Sequence, residues 1–321
     1  MEFLKIKDEI NYSAKRYKMI KMLEDMFLKE GFIQIQPSTF ESLDKLAGIN
    51  KKIKNESTVK VLSSSSKIFV LRPDITLNII KNLIPRWEED LKLKLFYTST
   101  IYKNKDEANI KEIMQMGIEY LGEDSFKGDI EAVALALKVL RKFNDNFILD
   151  IGSSKYVDGI LNKLNLNENI QNQLKSLIYR KNKFELINFI QTLNLSNEVQ
   201  ELISNILDFQ GNLTEIISKA KNFYMNEEMK KAIEELVNLN RFIQENGYMK
   251  YAHFDLSMVT ELDYYDGLIF KGYYPKCYRE IISGGRYDSL TKEFGRKVSA
   301  IGFSVNLDSL MKNYYKEGDK R

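Results

Sequence analysis

Between Ile160 and Asn246 the chain has no proline and a single glycine, Gly211, while prolines stand at 37, 73, 85 and 275. Without these breakers a helix can run uninterrupted. Ile178, Phe184, Ile187, Phe189 and Ile190 recur there at helical spacing within a background of Leu, Asn, Lys and Glu. The pattern predicts a helical insertion over residues 156–250. It would separate a first part, 1–155, from a second, 251–321, both written in a different grammar. The other reading of the stretch is a helical portion of one continuous core.

The flanking parts alternate between helix and strand signals. Tyr12, Tyr17, Ile20, Leu23 and Phe27 mark one face of a helix over 12–30, stopped by Gly31. Phe32, Ile33 and Ile35 form a short strand leading to Pro37, and Ile68–Leu71 is a second strand. Asp74 caps a helix over Ile75–Leu83. Lys92–Tyr102 and Ile113–Leu121 read as neighbouring strands around a polar loop, Lys103–Lys111. A helix over Asp129–Phe143 and a strand over Phe147–Ile151 follow. Later strands are read at His253–Met258, Gly267–Tyr273, Glu280–Ser283 and Ser299–Val305. The sum is an α+β protein, a mostly antiparallel sheet covered by helices.

Composition removes several classes of function. The 321 residues suit about two domains and a real core. A near balance of 48 basic and 45 acidic residues argues against a nucleic-acid coat, so no DNA partner is expected. One cysteine, Cys277, excludes an internal disulfide framework. His253 is the only histidine, which leaves no zinc cluster and no Ser-His-Asp or Cys-His set; it is read as a packed strand residue. No apolar run spans a membrane and the charged N-terminus is no signal sequence, so a soluble cytoplasmic protein is expected.

Three segments carry candidate chemistry. In Met114–Leu121, period two puts Gln115, Gly117 and Glu119 on one face and Met114, Met116, Ile118 and Tyr120 on the other. The polar face is either solvated or a bed on which a ligand lies over the glycine gap. Leu262-Asp-Tyr-Tyr-Asp-Gly267 sets two tyrosines between Asp263 and Asp266, a carboxylate pair that a hydrolase could use but that nothing in the sequence singles out. Ser283-Gly-Gly-Arg-Tyr-Asp288 is a strand that ends in a glycine pair, or a turn, with Arg286 and Tyr287 displayed beyond it. Neither is a dinucleotide fingerprint or a P-loop.

In this order the segments resemble the class II aminoacyl-tRNA synthetase catalytic domain, most closely the histidyl-tRNA synthetase family, over about residues 5–155 and 250–312. The first helix, strand and Pro37 resemble the dimer-forming motif 1. Leu71-Arg-Pro-Asp-Ile-Thr76 resembles L-R-P-E-x-T. Tyr97–Gly122 resembles motif 2 and its following strand. Met258-Val-Thr-Glu-Leu-Asp-Tyr-Tyr265 resembles L-V-R-G-L-D-Y-Y, and Ser283–Asp288 with Ala300–Leu310 resembles G-G-R-Y-D and motif 3.

The departures bear on activity. The resemblance puts three adenylation arginines at positions held here by Ile101, Thr260 and Ser309. Losing one such donor costs about 2.7–4 kcal/mol in a transition state. With the sequence ending at Arg321, close behind motif 3, no anticodon-binding domain is expected. The expectation is therefore a protein without catalytic residues, cofactor or metal. It resembles the ATP phosphoribosyltransferase regulatory subunits, non-catalytic partners of the short-form catalytic subunit of histidine biosynthesis. The resemblance implies a homodimer within a hetero-oligomer, activation of the partner and feedback by histidine. It also implies a histidine pocket: Asp74 at the ligand's ammonium, Gln115 near the ammonium or the carboxylate, Glu119 and Tyr265 about the imidazole, Tyr287 in the wall. Thr260 leaves the ligand carboxylate without its arginine, so binding is weak or completed by another group such as a lysine. The rival readings are a synthetase-derived amino-acid-activating enzyme and a tRNA-binding sensor. Lysine-rich stretches at 45–60 and 103–111 are candidate docking surfaces.

Overall fold

The computed structural model describes residues 5–43, 58–106, 109–164, 166–260 and 264–318. Helix α1 (Ile6–Lys29) buries Met19, Leu23 and Phe27 at four-residue spacing. Tyr17, expected on that face, is instead 69% exposed. At about 100° per residue Tyr17 lies roughly 120° around the helix from Leu23, off the buried stripe. Strand β1 (Ile33–Gln34) follows, then β2 (Phe40–Ser42), β3 (Lys60–Leu62) and β4 (Ile68–Leu71), which form a small sheet in the order β2-β4-β3. Helix α2 (Ile75–Leu83) starts where expected, because the Asp74 carboxylate accepts the Leu77 N–H at 2.7 Å.

Strands β5 (Leu93–Asp106) and β6 (Asn109–Leu121) make a long hairpin. The segment read as a polar loop is mostly ladder, with Lys103 opposite Lys111 and Asn104 opposite Ile110. Backbone pairing alone sustains this ribbon past the core, where no apolar alternation marks it. Helix α3 (Ser125–Phe143) and strand β7 (Ile148–Ser153) complete the first part.

Between β7 and the strand after next come six helices among the described residues: α4 (Ser154–Lys163), α5 (Glu168–Tyr179), α6 (Lys183–Gln191), α7 (Asn197–Asn205), α8 (Leu213–Ala220) and α9 (Glu227–Glu245). Asparagine side chains at 167, 182, 212 and 226 cap four of them. Gly211 breaks the helical run to form β8 (Gln210–Gly211), an edge strand with φ +123° at the glycine. Apolar side chains of this stretch, Leu174 and Leu236 among them, join Phe27 and Ile118 in one core cluster.

The chain returns through β9 (Ala252–Asp255), β10 (Leu268–Tyr273), β11 (Ile282–Arg286), α10 (Asp288–Glu293), β12 (Ala300–Asn306) and α11 (Leu307–Gly318). The large sheet runs β1-β5-β6-β12-β11-β10-β7-β9-β8. Its pairs are antiparallel except β1 with β5 and β7 with β9. Gly284 and Gly285 are neither a strand end nor a turn: they pair mid-strand, Gly284 with Phe303 and Gly285 with Gly302. His253 is half-buried beside β7, its Nδ1 3.0 Å from the Asp150 carboxylate. Among the described residues no helix is long and apolar enough to cross a membrane.

Candidate functional site

One face of five adjacent strands builds the site. Register places Tyr97 of β5 beside Gly117 of β6, Gly302 of β12 beside Glu119, and Gly285 of β11 beside Gly302. Each glycine clears space for a neighbouring side chain. A Cβ at Gly117 would meet the Tyr97 hydroxyl, one at Gly302 the Glu119 carboxylate, and one at Gly285 the Tyr265 ring 2.7 Å away. The polar groups therefore lie flat on the sheet instead of standing in solvent. The opposite face carries Met116, Ile118 and Phe303 into the core.

Above this floor is a cavity of about 200 Å³. Asp74, Gln115, Tyr265 and Tyr287 line it, and so do Ile101 and Thr260. Glu119 lies beneath, 1% exposed, which excludes the solvated reading of the β6 face. Its Oε1 accepts the Thr76 hydroxyl at 2.6 Å and its Oε2 accepts that of Tyr287. It thus meets the cavity through two lining residues. Burial pushes the Glu119 carboxyl up to about 8, although both hydrogen bonds pull it down. Burial likewise raises Asp74, opposed by the Leu77 N–H and by nearby Lys103. The phenols of Tyr97, Tyr264 and Tyr287 are held well above their ordinary range by burial and by neighbouring carboxylates. They stay neutral donors.

Ser309 is not a lining residue. It sits on α11, its N–H held by the Asn306 side chain at 2.9 Å. Arg286 is not displayed but 3% exposed. It clamps β11 to the start of α3, giving two hydrogen bonds to Asp129, of 2.9 and 2.7 Å, one to Asp288 and one to the Ser125 carbonyl. Asp266 accepts the Asp288 and Ser289 N–H groups and so caps α10; Asp263 lies outside the described residues, as does most of the 45–60 stretch.

The sequence reading named none of Lys103, Tyr179, Lys271 and Glu280 as site residues, yet all four line the cavity. Lys103 shares the period-two face of Tyr97 and Ile101 and becomes legible once β5 is continued through it. Tyr179 ends α5, inside the helical stretch, and no local pattern points it at the sheet. The Lys271 ammonium lies over its ring, 5.4 Å from the centroid. Asp74 and Glu280 face Lys103 and Lys271 in one cavity, with neutral amide, hydroxyl and phenol groups between. Such a lining suits a small zwitterion with a polar side chain. Among the described residues no group of three His, Cys, Asp or Glu side chains is arranged to hold a metal ion.

The histidyl-tRNA synthetase family model matches residues 8–310. An ATP phosphoribosyltransferase regulatory subunit of Bacillus cereus (strain G9842) is 34% identical over 292 residues, 89% of this chain and 69% of that protein. A structure described as an ATP phosphoribosyltransferase regulatory subunit/histidyl-tRNA synthetase from Bacillus halodurans is 27% identical with a TM-score of 0.84, covering 94% of this chain and 79% of its own. The ATP phosphoribosyl transferase (HisG:HisZ) complex of Thermotoga maritima shares the fold at 18% identity and a TM-score of 0.68, over 91% of this chain and 97% of that one. The sheet, its flanking helices and these similarities agree: the chain has the class II synthetase fold and belongs to the histidyl-tRNA synthetase-like family, among the ATP phosphoribosyltransferase regulatory subunits.

Proposed function

We propose that this chain is the non-catalytic partner of a short-form ATP phosphoribosyltransferase catalytic subunit in the cytoplasm, activating it and carrying feedback inhibition by histidine. The supporting observation is the cavity itself. It joins Asp74, Gln115, Tyr265 and Tyr287 above buried Glu119, a lining fit for an amino acid, while Ile101 and Thr260 bring no cation to it. A pocket of that kind binds a small zwitterion but leaves the charge of an adenylation transition state without its arginine donors. Thr76, Tyr287 and Tyr265 offer neutral hydrogen-bonding groups to an imidazole. Kinship with the regulatory subunits, and a fold shared with a chain of the Thermotoga complex, support the partner.

The mechanism is a coupling free energy. Histidine inhibits only if the complex binds it more tightly in its less active arrangement. The homodimer forms through α1, whose exposed Ile6, Ile10 and Tyr17 lie on one stripe at 77%, 62% and 69% exposure. The helices from 156 to 250 act as an insertion into the synthetase-like core.

The test is reconstitution. The purified chain is mixed with a short-form catalytic subunit, and phosphoribosyl-ATP formation from ATP and phosphoribosyl pyrophosphate is followed with and without histidine. Stimulation that histidine suppresses supports the proposal. An unchanged rate without co-elution overturns it, and histidine-dependent ATP–pyrophosphate exchange would establish an activating enzyme in its place.

A further inference from the structure

The cavity holds an acid and a base on neighbouring elements that do not pair with each other. The segment before α2 is stitched to β5: the Tyr102 N–H donates to the Arg72 carbonyl at 3.2 Å, and Arg72 Nε donates to the Thr100 carbonyl at 2.8 Å. Asp74 lies two residues beyond one side of that stitch and Lys103 one residue beyond the other. Both side chains line the same cavity, and the Lys103 charge acts on Asp74, opposing the upward push of burial on its carboxyl. The Asp74 carboxylate accepts the Leu77 N–H at 2.7 Å and a hydrogen bond from the Tyr264 hydroxyl, and among the described residues no direct ion pair joins it to Lys103. An acid and a base that line one cavity without pairing can be bridged by a small ligand that carries both an ammonium and a carboxylate. Lys271, the other lysine of the lining, is engaged on the Tyr179 ring and enters from β10, on the far side of the sheet face.

We infer that Asp74 and Lys103 form a clamp for the head group of an α-amino acid, Asp74 taking the ammonium and Lys103 the carboxylate. The inference rests on the reading of the cavity as an amino-acid site and adds the group that replaces an arginine at Thr260. The clamp recognises the head group alone, so it contributes affinity for any α-amino acid, and the groups around Glu119 select among side chains. A charge-assisted hydrogen bond of this kind corresponds to about 10–150-fold in affinity.

Isothermal titration of the full chain with histidine, histamine (no carboxylate) and imidazolepropionate (no ammonium) tests it. The wild-type chain binds histidine at least about 10-fold more tightly than either analogue. Lys103→Met, at a half-exposed position, weakens histidine by that factor and leaves histamine unchanged. Lys103→Arg restores histidine binding, and Lys271→Met leaves the histidine-to-histamine ratio as it was. Histidine and histamine binding the wild-type chain equally overturns the clamp while the cavity reading stands. So does a Lys103→Met change that weakens both or neither, or a ratio that moves with Lys271→Met instead. Failure of the wild-type chain to bind any of the three overturns the cavity reading and the clamp together.

Discussion

Tyr287 and Glu119, 168 residues apart in sequence, share a hydrogen bond beneath the cavity floor, the Tyr287 hydroxyl donating to Oε2. The bond is possible because β6, β12 and β11 are consecutive in the sheet and Gly302, between them, has no side chain. It ties the last part of the chain to the first at a buried carboxylate below the cavity.

That carboxylate makes stability depend on pH. Its folded value of about 8 lies above the ordinary 4.5, so within this window the folded chain retains a proton the unfolded chain has lost. Stability therefore falls as pH rises from 4.5 toward 8, with a slope of at most about 1.4 kcal/mol per pH unit from this group. Glu119→Gln cannot ionise and removes the contribution. Urea unfolding across this range should show the wild type losing stability more steeply than the variant. Parallel profiles would mean that Glu119 is not the titrating group.

Arg286 is expected to be structural. Arg286→Ala leaves Asp129 buried without its partner, a loss of about 3–5 kcal/mol. Arg286→Lys should recover only part of it, because an ammonium cannot reproduce the fork that reaches Asp129, Asp288 and the Ser125 carbonyl. Denaturant midpoints of the two variants decide this, and a near-neutral alanine variant would refute it.

The glycines of the sheet face are predicted to be sensitive to a single methyl group. At Gly285 a Cβ would stand 2.5 Å from the Leu268 carbonyl oxygen and 2.7 Å from the Tyr265 ring. Gly285→Ala should cost about 1–3 kcal/mol and displace Tyr265 from the cavity wall. Thermal unfolding reads the first effect and histidine titration the second. Gly31→Ala meets no neighbouring atom but sits at φ +83°, so its cost is backbone strain without any effect on the cavity.

The exposed stripe of α1 should control oligomeric state. Ile10→Asp and Tyr17→Asp place charges on a face that a second copy would cover, and neither residue is buried in the chain itself. Sedimentation velocity should show both variants shifted toward monomer with unchanged circular dichroism. A wild-type chain that sediments as a monomer would remove the basis for the prediction.

Local chemistry along the chain determined a good deal. The cap at Asp74, the alternation through Met114–Ile118 and the lack of breakers between Ile160 and Asn246 are short-range signals. They set the start of α2, the two faces of β6 and the helical stretch, because capping, pleat and helix period act within a few residues. The order of the motifs pointed to the family for the same reason. What lies across a strand is not written locally. That Glu119 is buried, that Gly284 and Gly285 pair mid-strand, that Arg286 clamps a helix and that Lys271 reaches the cavity were decided by strand order and register, and Tyr179 reaches it from the end of α5. Period two says which face a side chain takes, but only the neighbouring strand decides whether that face meets water, a glycine gap or a partner. That neighbour is often more than a hundred residues away.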